Sequence, residues 1–486
     1  MALVDCARMT LRELLGEGPD VDVTALAFDN RVVRPGTLFF CVPGFTRDGH
    51  DFAPDAVRRG AVALVVQRPL GLGVPEVRVG DVRAAMARAA ARFYGDPTGR
   101  LDVVGVTGTN GKTTTAYLVR AILEGAGRRC GLLGTVKSVV GGVERPVVRT
   151  TPEAIDLQRT FREMLDAGDD ACAMEISSHA LQLHRADWIH VRAAIFTNLT
   201  QDHLDFHRTM EDYFQAKRML FTSELTGTRI VNADDAHGRR LAAEFPDALT
   251  FAIDREADYR ALDVRPDAAG CDFTALTPDG RFAARVPLPG RFNVHNALGA
   301  WAAARALGVE PGAIPGALAA AQTAPGRFEP VDEGQEFSVY VDYSHKPDAL
   351  GAVLEAAREL TSGRLIVVFG AGGDRDRGKR PLMGEIAARL ADVALVTSDN
   401  PRSEDPEAII DEIVAGIPAQ PHAEVERDAD RRASIHRAIA LARPGDAVVI
   451  AGKGHETGQE LAGGRIEPFD DAAVAREALL AARQRA

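Results

Sequence analysis

Residues 101–115 read LDVVGVTGTNGKTTT, and the rest of the chain is arranged around them. The run Val103-Val104-Gly105-Val106 is β-branched and apolar, as a buried strand requires. It passes into Thr107-Gly108-Thr109-Asn110-Gly111-Lys112-Thr113-Thr114 and then into a helical pattern, Ala116-Tyr117-Leu118-Val119. A strand feeding a Gly-rich turn at a helix N-terminus makes a phosphate cradle, because backbone N–H groups and the positive helix end face the anion. Gly108, Thr109, Asn110, Gly111, Lys112, Thr113 and Thr114 are therefore the residues expected to hold ATP, with a threonine hydroxyl on Mg²⁺. The strict G-x-x-x-x-G-K-[ST] spacing would place glycine at 106, where valine stands, so the loop is a variant of the standard P-loop.

A chain of 486 residues with 46% hydrophobic content has room for roughly two to four domains with real cores. The formal net charge of −12 argues against nucleic acid as a partner over the surface as a whole. The five cysteines, Cys6, Cys41, Cys130, Cys172 and Cys271, are dispersed and form no C-x-x-C pair, which fits a reduced, cytoplasmic protein without a disulfide framework. The opening MALVDCARMTLRELL has no apolar leader core, and no run reaches the length of a membrane span, so no membrane insertion is expected.

Taken in order, residues 1–98 read as a small α/β domain. A short helix at 10–15 precedes strands at 23–28, 37–42 and 61–66, and an Ala- and Arg-rich helix at 82–93 is stopped by Gly95-Asp96-Pro97. Residues 99–326 alternate strand and helix as a doubly wound sheet does. Three stretches there turn polar where an apolar pattern ought to continue: Arg149-Thr150-Thr151-Pro152, ACAMEISSH at 171–179, and AAIFTNLTQDHLDFH at 193–207. In open parallel sheets ligands bind at the carboxyl ends of strands, so these ends are expected to converge on the P-loop. Glu175 suits Mg²⁺, which takes hard oxygen ligands and substrate phosphates. His203 and His207 have i, i+4 spacing but lack the glutamate of a zinc-protease helix, and Lys217 stands among apolar neighbours on a helical stretch. Asn293 and Asn296 open an Ala-rich helix, where they cap it or meet an adenine edge, and residues 324–329 read as a linker. Residues 327–486 alternate again, with four strand ends rich in glycine and charge, as in a Rossmann-like domain with its own ligand site. The first of its glycine pairs, Gly370 and Gly372, is followed by Arg375 at the third fingerprint position, which argues against a dinucleotide.

TGTNGKTT at 107–114, EISSH at 175–179, TNLTQDHLDFH at 197–207, the 293–296 and 325–327 stretches and DYSHKPD at 342–348 together resemble the Mur ligases, collinearly over nearly the whole chain. GGDRDRGKRPLMG at 372–384, Asp399-Asn400-Pro401-Arg402 and GKGHE at 452–456 resemble the branch that adds the third residue of the cell-wall peptide. The resemblance implies an α/β fold of three domains: a P-loop doubly wound sheet flanked by a small N-terminal α/β domain and a C-terminal Rossmann-like domain. It implies an ATP-dependent ligase whose substrates are a UDP-N-acetylmuramoyl dipeptide and a diamino acid, joined through an acyl phosphate; a monomer is expected. Meso-diaminopimelate is the diamino acid implied. L-Lysine or L-ornithine in the same reaction, or another Mur- or folylpolyglutamate-type reaction, is the alternative.

Carried over by resemblance, the catalytic residues are Lys112, Glu175, His203 and Lys217, and the metal set is Thr113, Glu175, His203 and Lys217, the last as a carbamate derived from CO₂. Asn293, Asn296 and Arg327 join the ATP contacts. Asn30, Phe45, Thr46, Arg47, Thr150, Thr151, Ser177 and Arg185 are the implied contacts to the UDP substrate, with Asn30 in place of a frequent serine and Leu183 in place of a frequent glutamine. Arg375, Asp399, Asn400, Pro401, Arg402, Gly452 and Glu456 are the implied contacts to the diamino acid. Arg402 suits its distal carboxylate, which arginine binds as a fork, and Glu456 suits its distal ammonium.

Overall fold

A computed structural model of the chain describes residues 8–204 and 206–483; Cys6 therefore lies outside the described residues. The helix Leu11–Leu15 begins at Thr10, whose hydroxyl accepts from the Glu13 N–H while the Glu13 carboxylate accepts from the Thr10 N–H, a reciprocal cap. Strands Ala25–Ala27, Thr37–Phe40, Ala61–Val66 and Glu76–Arg78 form a parallel four-stranded sheet in chain order. The helix Val82–Phe93, capped by Asp81, buries Val82, Met86, Ala89 and Phe93 in the core of this unit. The strand expected at 23–28 is divided. Asp22–Val23 pairs with Met9–Thr10 in a separate ribbon, and only Ala25–Ala27 enters the main sheet.

The central sheet has eleven strands. Seven run parallel, in the spatial order Cys130–Leu133, Ala171–Glu175, Asp102–Thr107, Val191–Phe196, Thr226–Asn232, Leu249–Ala252 and Tyr259–Asp267. The chain winds to one side of Asp102–Thr107 and then to the other, as a doubly wound fold does. The register sets Glu175 beside Val106 and Phe196 beside Thr107, so the polar ends of three adjacent strands open side by side. Antiparallel strands extend both edges: Ser138–Val140 with Val143–Arg145, and Gly270–Thr277 with Gly280–Val286. The helices Lys112–Gly125 and Arg291–Ala306 pack on one face, around the fully buried Trp301.

The third sheet has five parallel strands, in the order Ser338–Asp342, Ala447–Ala451, Leu365–Phe369, Val393–Thr397 and Glu424–Asp428, with the short Glu329–Pro330 antiparallel at one edge. Four of them are nearly continuous apolar runs buried on both faces, which is how parallel strands read. Each of these four ends within a residue or two of the polar segments noted in the sequence. Glu424–Asp428 is a charged edge strand. A hairpin, Gly458–Leu461 with Arg465–Pro468, follows the last central strand. The α/β architecture with N-terminal, central and C-terminal units is the fold class expected from the sequence.

Candidate active site

The loop at 108–111 leads into the helix Lys112–Gly125 at the wall of a cleft of about 490 Å³, with the Thr109 and Asn110 N–H groups donating to the Asn198 carbonyl and side-chain oxygen, both at 2.9 Å. Gly108 has φ +152°, and a Cβ there would stand 1.8 Å from the Thr197 hydroxyl, so no larger residue fits this approach of loop to neighbouring strand end. The Lys112 ammonium turns back onto the loop and donates to the Gly108 and Thr109 carbonyls, both at 2.9 Å. Burial and the nearby Lys346 cation push its pKa down to about 8. The Lys112 cation is therefore disfavoured by its surroundings, and a neighbouring anion would stabilise it.

Thr113 sits between two charged groups. Its hydroxyl donates to the Glu175 carboxylate at 3.0 Å and accepts from the Arg327 guanidinium at 3.2 Å. Glu175 also accepts from the Thr135 N–H at 2.7 Å and the Thr135 hydroxyl at 3.0 Å, which fixes both carboxylate oxygens. Thr135 was not singled out in the sequence; it lies just past the strand Cys130–Leu133 with nothing but position to mark it. Arg327 lies over the Tyr343 ring at 4.5 Å, so the linker and the first C-terminal strand end reach into the nucleotide cleft together.

Lys217 is 1% exposed, on the helix Met210–Thr222. Its ammonium donates to the Gly108 carbonyl at 2.8 Å and lies 4.5 Å above the Tyr213 ring. Burial first, and then the cations Lys112 and Lys346, hold its pKa well below the usual lysine range. His203 pairs with Asp202 at 3.0 Å, and Asp202 pairs with Lys346 of the C-terminal unit at 2.6 Å. Burial opposes ionisation of Asp202, but the His203 contact and the Lys346 charge outweigh it and keep the carboxyl far below its ordinary range. Burial also lowers the His203 pKa, against the pull of Asp202. His207 instead meets the Ser178 hydroxyl at 2.9 Å, so the i, i+4 histidines do not form a metal pair. Among the described residues no group of three or more His, Cys, Asp or Glu could hold a metal ion.

The structure gathers Lys112, Thr113, Glu175, His203 and Lys217 around one cleft, together with Thr150, Ser177, Asn293, Asn296 and Arg327. Asn293 and Asn296 face inward rather than waiting at the rim. Asn293 donates to the Pro289 carbonyl at 2.7 Å, and Asn296 bonds Asn293 at 3.1 Å and accepts from the Thr115 hydroxyl at 3.2 Å. Thr151 is buried behind the cleft, donating to the Glu175 carbonyl at 2.9 Å.

The remaining expected contacts to a UDP substrate lie apart from the cleft. Asn30 donates to Asp55 at 2.8 Å within the N-terminal unit. Phe45, Thr46 and Arg47 are exposed in the 43–49 loop, and the Phe45 ring meets Phe206 edge-on at 5.8 Å. Phe206 in turn stacks on His179 at 4.1 Å. Arg185 binds Glu153 at 3.0 Å, and so do Arg83 of the N-terminal unit at 2.7 Å and Arg149 at 2.9 Å. Glu153 is 4% exposed, so one buried carboxylate anchors three arginines.

A second polar cluster occupies the carboxyl ends of the C-terminal strands. Asn400 donates to Glu456 at 2.8 Å and accepts from Lys453 at 2.9 Å; Lys453, fully buried, also reaches Glu456 at 3.0 Å. Arg402, at φ +52°, donates through Nε to Glu460 at 2.7 Å and through Nη1 to the Gly373 carbonyl at 2.8 Å. Gly452 packs against the Asp399 carboxylate, Pro401 is buried, and Arg375 is exposed at the rim. Lys453 and Glu460 had not been assigned a role from sequence, although Lys453 lies inside the GKGHE stretch. The two clusters are joined at Gly326 and Gly454, with φ +64° and +54°, which meet backbone to backbone. A Cβ on Gly326 would stand 2.1 Å from the His455 nitrogen, and one on Gly454 would stand 2.8 Å from the Gly326 carbonyl oxygen.

Comparison with known proteins places this geometry in context. Three family models match: the Mur ligase middle domain over residues 106–304, the glutamate ligase domain of Mur ligases over 326–454, and the Mur ligase family catalytic domain over 22–94. The chain is 48% identical over 475 residues to a UDP-N-acetylmuramoyl-L-alanyl-D-glutamate–2,6-diaminopimelate ligase of Geobacillus thermodenitrificans, covering 95% of this chain and 96% of that one. It is 45% identical to the enzyme of the same name from Syntrophomonas wolfei, covering 99% of each. A solved structure of a protein of that name superposes with a TM-score of 0.72 at 33% identity, covering 98% of this chain and 100% of that one. A folylpolyglutamate synthase from Mycobacterium tuberculosis shares the fold, with a TM-score of 0.62 at 20% identity over 75% of this chain and 91% of that one. The chain belongs to the Mur ligase family.

Proposed function

We propose that this protein is an ATP-dependent ligase that joins meso-diaminopimelate to UDP-N-acetylmuramoyl-L-alanyl-D-glutamate in the synthesis of peptidoglycan precursors. The observation that carries the reading is the meeting, in one cleft, of a P-loop, the Thr113–Glu175 pair and the buried Lys217. Relatives of that name, 45–48% identical over nearly the full length, support the choice of substrates. In this reading residues 1–98 bind the UDP sugar peptide, 99–326 bind ATP, and 327–486 bind the amino acid. The protein works as a cytoplasmic monomer.

A free carboxylate of the substrate's D-glutamate attacks the γ-phosphorus of ATP; the bond from that phosphorus to the bridging oxygen breaks, and ADP leaves. The amine of the diamino acid then attacks the acyl carbon, loses a proton, and expels inorganic phosphate as the amide forms. Phosphoryl transfer asks for positioning and charge neutralisation more than for covalent help. Lys112 and the helix N-terminus at 111–113 meet the phosphate charge, and Arg327 and Lys346 bring further cations from across the cleft. The hydroxyl of Thr113 and carboxylate of Glu175 are hard oxygen donors of the kind Mg²⁺ combines with nucleotide phosphates, so they fit a Mg²⁺ carried in with ATP, which would neutralise charge on the transferring group. Lys217 fits carbamylation: its depressed pKa supplies the neutral amine that reacts with CO₂, and the neighbouring Lys112 and Lys346 that disfavour a cation there favour an anion. The carbamate, with His203, would serve a second Mg²⁺.

In the C-terminal cluster Arg402 is the group for the distal carboxylate of meso-diaminopimelate, and Asn400, Lys453 and Glu456 frame the remainder. The test is phosphate release from ATP, Mg²⁺ and UDP-N-acetylmuramoyl-L-alanyl-D-glutamate, with meso-diaminopimelate, L-lysine or L-ornithine in separate reactions and product masses measured. Release and the matching mass gain are expected with meso-diaminopimelate. Turnover with L-lysine or L-ornithine alone would keep the ligase and overturn its specificity; no amide with any of the three would overturn both.

A further inference from the structure

Arg402 already holds a carboxylate that belongs to the chain itself. The Glu460 side chain takes the Nε proton at 2.7 Å, and Gly373 takes one from Nη1 at 2.8 Å, while Nη2 makes no hydrogen bond among the described residues. A guanidinium grips a carboxylate best through two parallel N–H groups, and the Nε–Nη2 edge is one such fork. Glu460 sits on half of it. The backbone fixes this placement: the Arg402 N–H donates to the Glu460 carbonyl at 3.1 Å, and the Glu460 N–H donates to the Asn400 side chain at 2.9 Å. The hairpin Gly458–Leu461 with Arg465–Pro468 thus carries Glu460 directly across the Asp399–Arg402 turn.

The exposure of the two partners differs in a telling way. The Glu460 side chain is 43% exposed and that of Arg402 21%. A pair so open to water is weak, and an incoming carboxylate can displace the glutamate while water takes over its solvation. The ion pair also alters what the pocket prefers. Arginine left without a partner would penalise a diamino acid lacking a second carboxylate. With Glu460 in place Arg402 stays paired, so that penalty is reduced, and a negative charge remains near the place where a second substrate carboxylate would bind. Meso-diaminopimelate carries two ammonium and two carboxylate groups, whereas L-lysine is a net cation; the extra glutamate therefore works against the former and for the latter.

We infer that Glu460 is a specificity-determining residue that occupies the carboxylate site of Arg402 and is displaced by the distal carboxylate of the diamino acid, lowering discrimination against diamino acids that lack one. This rests on the reading of Arg402 as the distal-carboxylate group. The experiment compares the full-length parent, Glu460→Gln, Glu460→Asp and Arg402→Met, using purified meso-diaminopimelate and L-lysine with the UDP dipeptide and ATP, each amino acid as substrate and as competitor of the other. Removing a partly exposed opposing charge should lower the KM for meso-diaminopimelate in Glu460→Gln by about three- to tenfold, widening its preference over L-lysine by the same factor, with the KM for ATP unmoved. Glu460→Asp, which keeps the charge, should restore a preference close to that of the parent, and equal melting temperatures would exclude a general loss of structure. A raised KM for meso-diaminopimelate in Glu460→Gln would mean that Glu460 orients Arg402 rather than competing for it, and would overturn the inference; so would an unchanged preference. Arg402→Met separates the two levels: if it leaves the KM for meso-diaminopimelate untouched, the assignment of Arg402 fails and the inference falls with it.

Discussion

Lys112→Met should abolish turnover while leaving the nucleotide-free protein about as stable as the parent. Methionine keeps most of the volume and removes the charge. In the cleft the Lys112 pKa is about 8 against an ordinary 10.5, and at 1.36 kcal/mol per pH unit the charged form is disfavoured by about 3 kcal/mol at neutral pH. Partial exposure of the side chain to solvent reduces this to ~2 kcal/mol. Against it stand the two bonds to the Gly108 and Thr109 carbonyls at 2.9 Å, worth about 1 kcal/mol each. The terms nearly cancel, so thermal unfolding of the variant at pH 7.5 should fall within ~1 kcal/mol of the parent, while loss of a preorganised donor to the phosphates lowers kcat by about 10²–10³. The pH dependence sharpens the test. Below about 8 lysine is charged in both folded and unfolded states, and the cost of burying the charge is fully present. Between about 8 and 10.5 the unfolded chain binds more protons than the folded one, so parent stability rises with pH relative to a variant that has no such group. Differential scanning fluorimetry at pH 7.5, 8.5 and 9.5 on both proteins measures this. A variant destabilised by more than ~2 kcal/mol at pH 7.5, or a parent–variant difference that does not change with pH, would refute the account of a strained lysine.

ATP affinity should weaken as pH rises through about 8, because the phosphates bind the protonated Lys112; isothermal titration calorimetry should show that slope in the parent and not in Lys112→Met. Lys217→Met should leave a folded protein, since the side chain is buried and its surroundings disfavour a cation, yet lose activity; in the parent, stripping dissolved CO₂ should slow initial rates, and bicarbonate should restore them. Lys346→Ala removes the 2.6 Å contact to Asp202 that joins the two halves of the cleft, and should raise the KM for ATP several-fold with a larger radius of gyration by small-angle scattering. Glu153→Gln should lower unfolding stability by about 3 kcal/mol, because it leaves three arginines around a neutral group, and should raise the KM for the UDP dipeptide more than that for ATP.

The parts of the site that were legible in the sequence are those whose chemistry is at odds with their surroundings. A lysine among apolar neighbours on a helix, a glutamate ending a buried strand and a glycine-rich turn after a β-branched run each break a pattern, and Lys217, Glu175 and the 108–113 loop line the same cleft. Partners that merely complete a network break no pattern. Thr135 follows a strand like any threonine, Glu153 is one more acid before a helix, and Lys346 and Asp202 sit inside recognised stretches without announcing that they meet across the cleft. Such pairings depend on which strands become neighbours, and that order is a property of the whole sheet. The antiparallel extension at 259–286 gave no clean period-2 signal, because the buried face of Tyr259–Asp267 changes phase at the register shift between Leu262 and Arg265. Glu424–Asp428 gave no signal because an edge strand can be almost wholly charged.

The contact of Gly326 with Gly454 links the nucleotide-side cleft to the polar cluster of the C-terminal strands. The residue after Gly326 is Arg327, which touches the P-loop threonine; two residues after Gly454 is Glu456, which belongs to the C-terminal cluster. The two backbones come this close because neither glycine carries a side chain, so a displacement of the linker that bears Arg327 has to be accommodated by the 452–456 turn. Binding free energies linked in this way obey reciprocity: whatever factor ATP adds to the affinity for the diamino acid, the diamino acid must return to ATP. A side chain introduced at position 326 would overlap the 454–455 backbone and force the two turns apart, so it would disturb the contacts of Arg327 and of Glu456 together rather than either alone.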